Sequence, residues 1–81
     1  MVWTVVETKK GSGEQPKKQT FLSFQAALAA AQRAAEENGF TKEETDELVS
    51  TCLSLFEVDN GQVNEAFTSE ASGAKVTLSC S

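Results

Sequence analysis

The spacing of apolar side chains changes along the chain, and each spacing assigns an element. Residues Trp3 to Thr8 are rich in Val, Thr and Trp, residue types that suit a pleated, half-buried surface, and they predict a first strand. From Phe24 to Asn38 the period lengthens: Phe24, Ala27, Leu28, Ala31 and Ala35 recur at i, i+3, i+4 along one face of an alanine-rich segment, which predicts a helix. Ser23 precedes it as an N-cap, its hydroxyl able to accept from a first-turn N–H, and Gly39 follows Asn38 as the residue that ends a helix in the left-handed conformation. Thr41-Lys42-Glu43-Glu44 matches a capping box and predicts a second helix. Its far end is ambiguous, because Leu48, Val49, Cys52, Leu53 and Phe56 keep helical spacing while 52–58 also reads as a strand. The expected helix end lies near Ser50 or Thr51.

The remaining segments are read from turn residues. Asn60-Gly61 between Phe56–Asp59 and Gln62–Phe67 is a hairpin signal, since a type I′ turn needs positive φ at both central positions, and it would pair Val58 with Val63. A second turn, Ser69-Glu70-Ala71-Ser72-Gly73, precedes Lys75–Cys80, where Val76, Leu78 and Cys80 alternate with polar residues. Residues 9–19 mix Gly, Ser and Pro with lysines and predict a flexible basic loop, with Gln19–Leu22 as an optional short strand. The expected fold is α+β: an antiparallel sheet of about four strands, made of the N-terminal strand and a C-terminal three-stranded meander, with two helices packed on one face. At 81 residues the chain has room for one core, hence a single domain over 1–81.

The residue inventory narrows the chemistry. The chain has neither His nor Tyr, so the side chains that most often move protons near neutral pH are missing, and no catalytic residue is expected. No cofactor or metal site is expected either. Asp59-Asn60-Gly61 hints at a calcium loop, but aligning Gly61 with that loop's glycine puts Phe56 at the first ligand position and Phe67 at the last. Cys52 and Cys80 lack metal or redox spacing and read as thiols in a reducing cytoplasm, with a bridge between them open if their strands are neighbours. The N-terminus lacks the features of a secretory signal and no apolar run approaches bilayer length, so a cytoplasmic, non-membrane protein is expected.

Charge is the most informative feature. Residues 1–18 hold four lysines against Glu7 and Glu14, net +2, whereas residues 19–81 hold Arg33, Lys42 and Lys75 against ten acids, net −7. One Arg and an overall charge of −5 oppose direct nucleic-acid binding. Glu36, Glu37, Glu43, Glu44, Asp46 and Glu47 crowd around the Gly39 corner. Glu43, Glu44 and Asp46 sit in the first turns of the second helix, where the dipole favours anions. Glu36 and Glu37 close the first helix, where it disfavours them. These six carboxylates are the candidate partner-binding site, suited to the basic or nucleic-acid-binding surface of another protein.

The helix start Ser23-Phe24-Gln25-Ala26-Ala27, the N-terminal strand and the later Asn60-Gly61 turn, in an acidic chain of this length, resemble the small phage-encoded anti-CRISPR proteins. The resemblance is one of architecture and charge style, and it implies an inhibitor that blocks its partner by occupying a surface. Two other classes remain open. One is a homodimeric assembly module burying residues such as Trp3 or Phe67 across a subunit interface. The other is a small-ligand-binding domain with a groove between helix and sheet.

Overall fold

The computed structural model describes residues 2–9 and 15–80. The elements run β1 (Trp3–Thr8), β2 (Lys17–Phe21), α1 (Phe24–Glu37), α2 (Lys42–Val58), β3 (Asn64–Thr68) and β4 (Lys75–Cys80). The four strands form one antiparallel sheet in the order β2-β1-β4-β3. The α+β class and the four-stranded antiparallel sheet are as the sequence predicts.

Alternation along the central strands divides the sheet into two faces. Trp3, Val5, Val76 and Leu78 point into the core, where they meet Phe24, Ala27, Ala31 and Ala35 of α1. The small alanine side chains let α1 lie close on the sheet, while Leu48 and Cys52 bring α2 into the same core. Ser23 caps α1 as expected, its Oγ accepting from the Ala26 N–H at 3.2 Å. Gly39 follows the C-cap Asn38 with φ +81°.

Three expectations are corrected. The second helix does not stop near Ser50 or Thr51 but continues through Val58, and so 52–58 is helix. The physical reason is aromatic packing: Phe56 stacks on Phe24 with ring centroids 4.1 Å apart and also meets Trp3 at 6.0 Å, which anchors the last turns of α2 to the start of α1. Asn60-Gly61 consequently does not form a hairpin turn between Val58 and Val63. Both residues do take positive φ, 54° and 83°, but they end α2: the Gly61 N–H donates to the Phe56 carbonyl at 2.8 Å, the closure of a left-handed helix stop. The C-terminal meander therefore has two strands, and β4 takes β1 as its second neighbour.

The third correction concerns the basic loop. Its residues 10–14 lie outside the described residues, but Lys17 and Lys18, read as loop, belong to β2, which continues through Gln19–Phe21 of the optional strand. The register sets Lys17 directly across from Glu7 and Lys18 across from Val6, so an opposite-charge cross-strand pair supports a strand whose composition is poor for one. Cys52 and Cys80 are free thiols, Cys52 being buried on a helix rather than in a strand beside Cys80.

Candidate functional site

The six candidate carboxylates sit on two helices that meet at the Gly39 corner. Glu36 and Glu37 are exposed in the last turn of α1, and Glu43, Asp46 and Glu47 are exposed on α2. Glu44 differs. Its Oε1 accepts from the Thr41 N–H at 2.9 Å and from the Ser69 hydroxyl at 2.8 Å, while Oε2 accepts from the Glu70 N–H at 2.8 Å. The Thr41 Oγ1 returns the bond by accepting from the Glu44 N–H, completing the capping box. These donors, the Thr41 amide first and then Ser69 and Glu70, hold the Glu44 carboxyl below its ordinary value of 4.5, with slight burial opposing them. Its charge is committed inside the molecule.

The β3–β4 hairpin, whose turn at Ser69–Gly73 the sequence predicts, fixes this corner. Ser72 Oγ donates to the Asn38 carbonyl at 2.6 Å, and Ser69 Oγ accepts from the Ala71 and Ser72 amides at 3.1 Å. Asn38 is buried; its Nδ2 donates to the Ala34 carbonyl at 2.7 Å and to Glu7 Oε1 at 3.3 Å, tying the end of α1 to β1. No single residue type marks these serines in the sequence. Only the pairing of a capping-box Glu with a Ser-rich hairpin 25 residues later would have flagged them.

The carboxylates do not converge on one point. Glu36 and Asp46 share a groove of about 340 Å³ with Lys42 and Phe40. Glu44 and Glu47 line another, of about 370 Å³, between the start of α2 and strand β3, together with Phe40, Phe67 and Glu70. Glu37 lies in a third, of about 210 Å³, beside Arg33, Lys17 and Glu7, where cations and anions mix. Among the described residues, no group of three or more carboxylates or thiols is arranged to hold a metal ion. Phe40 is buried between the first two grooves and separates them.

The opposite side of the molecule is of another character. By register, the outer face of the sheet presents Thr4, Val6 and Thr8 from β1, Thr77 and Ser79 from β4, Asn64, Ala66 and Thr68 from β3, and two lysines, Lys18 and Lys75. Among the described residues this face contains no carboxylate. Acids thus concentrate on the helical layer, and the sheet's outer face is hydroxyl-rich with a few cations.

Trp3, considered above as a dimer contact, is 3% exposed and belongs to the monomer core, where its ring lies 5.1 Å from Phe24. Phe67 is half-buried. Among the described residues, no helix is long and apolar enough to cross a membrane. No family model matches the chain, and neither a curated protein nor a solved structure matches it.

Proposed function

We propose that the chain is a small non-enzymatic binding protein whose acidic helical layer docks on a basic, nucleic-acid-binding surface of a protein partner and blocks or regulates it, in the manner of a phage anti-defence inhibitor. The observation that carries this reading is the partition of charge: Glu36, Glu43, Asp46 and Glu47 are exposed on one layer, and among the described residues the opposite face of the sheet has no carboxylate. A field of one sign on one side steers encounter with a surface of the other sign and orients it. Spread over separate grooves, these carboxylates suit a broad protein surface better than a small molecule, which needs convergent polar groups. The lack of His and Tyr fits work done by contact rather than by proton transfer.

The test uses two baits in extracts of the source cells: the wild type, and a variant with Glu36, Glu43, Asp46 and Glu47 changed to Lys. Glu44 is left alone because its carboxylate holds the corner together. The expected result is a protein with a basic surface that is retained by the wild type, released by moderate salt, and absent from the variant. Retention of the same proteins by both baits would refute the reading.

A further inference from the structure

The free edge of β3 points to how a partner would engage. We propose that the groove between β3 and the start of α2 receives an extended, lysine- or arginine-bearing segment of the partner, which adds to the sheet as a fifth strand beside β3. This rests on the docking function proposed above and specifies its mode.

Among the described residues β3 has a hydrogen-bonded neighbour on one side only, so its other side presents unpaired backbone donors and acceptors. Sheets usually protect such an edge. The opposite edge, β2, does so with Lys17 and Lys18, whereas β3, Asn64–Thr68, has neither lysine nor proline and carries a single charge, the half-buried Glu65. Beside it runs the groove of about 370 Å³, lined by Phe67 of β3 and Phe40 and by the acids Glu44, Glu47 and Glu70. The Glu70 amide is bound by Glu44, but that contact leaves the Glu70 side chain out of the capping network.

These charges select the occupant. Two copies of this chain pairing through β3 would crowd the Glu47, Glu65 and Glu70 carboxylates of both copies along one seam, and like charges disfavour self-association along this edge. A cationic strand meets the same groups as attraction. Strand addition gives main-chain hydrogen bonds, and alternate side chains reach the groove, where a lysine stem lies on Phe67 with its ammonium between Glu47 and Glu70.

The probes are three nine-residue peptides: alternating Lys and Thr, the same peptide with Glu for Lys, and the Lys peptide N-methylated at alternate residues. Binding is measured by titration and by amide hydrogen exchange of the full chain. The Lys peptide is expected to bind and to slow exchange along β3 but not along β2. The Glu and N-methylated peptides are expected to bind at least about tenfold more weakly. A Glu47→Lys, Glu70→Lys variant, its fold checked by its amide spectrum, should lose the Lys peptide by a similar factor. Equal binding of the N-methylated peptide without protection of β3, or protection at β2 instead, would overturn strand addition while leaving acidic docking standing. Failure of the Lys peptide to bind would overturn the inference. If the Glu36, Glu43, Asp46, Glu47 reversal also leaves partner capture unchanged, the docking function falls with it.

Discussion

Glu44 accepts the hydroxyl hydrogen of Ser69 at 2.8 Å, joining the first turn of α2 to the hairpin between β3 and β4. The same carboxylate closes the capping box and takes the Glu70 amide, so one side chain serves three donors. Glu44→Gln is expected to lower the Tm by several degrees without changing the fold. Because Glu44 is held below 4.5 in the folded chain, its contribution is present above that value and is lost as pH falls through the lower folded-state value. Thermal unfolding between about pH 3 and 7 should therefore show a steeper acid decline for the wild type than for Glu44→Gln.

Ser69 is 1% exposed and serves Glu44 as donor and two hairpin amides as acceptor. Ser69→Ala leaves these partners without their bonds in a part-buried site, with an expected cost of about 1–3 kcal/mol. Chemical denaturation checks the magnitude. Hydrogen exchange should quicken first at 69–74 and in the first turn of α2.

Gly39 and Gly61 both take positive φ, but their surroundings differ. A Cβ at Gly39 would lie 2.9 Å from the Cβ of Ser72, which cannot yield without breaking its 2.6 Å bond to Asn38. At Gly61 the nearest atom is 3.6 Å away on the Phe56 ring, an ordinary contact. Gly61→Ala should cost only the left-handed backbone penalty, about 1–2 kcal/mol, and Gly39→Ala measurably more than that. Equal losses in denaturant midpoints would contradict the close packing of the corner on the hairpin.

Gly61 also shows where sequence reading stops. Asn60-Gly61 carries a clear demand for positive φ, and both residues meet it, but a type I′ hairpin and a left-handed helix stop make the same local demand. What separates them is the stacking of Phe56 on Phe24, a contact 32 residues apart in the chain that no local pattern contains. By contrast Ser23, Thr41 with Glu44, and Gly39 were legible because capping is decided within one turn. The same limit applies to the acidic corner. The sequence places all six carboxylates near Gly39, but the Glu44 carboxylate is taken up by hydrogen bonds from Thr41, Ser69 and Glu70, and Glu37 shares its groove with Arg33 and Lys17.

The two thiols should react at different rates. Burial first, and the charge of Glu65 second, push the Cys52 thiol up to about 11 from its ordinary 9.0. Iodoacetamide at about pH 8 is expected to modify half-buried Cys80 readily and Cys52 only after unfolding. The sign in alkali follows from the raised value. The stability tied to protonated Cys52 is complete below 9.0 and is lost as pH rises through about 11, and Cys52→Ala should flatten that decline.

Docking through the helical layer is tested most directly by association kinetics with the partner captured by the wild type. Stopped-flow rates are compared for the wild type, for the Glu36, Glu43, Asp46, Glu47 to Lys variant, and for a control with Lys18 and Lys75 on the outer sheet face changed to Glu. The expected result is an association rate at low salt at least about tenfold slower for the helical-layer variant, with its salt dependence lost, and little change for the sheet-face control. An unchanged rate for the helical-layer variant, or a larger effect from the sheet face, would contradict it.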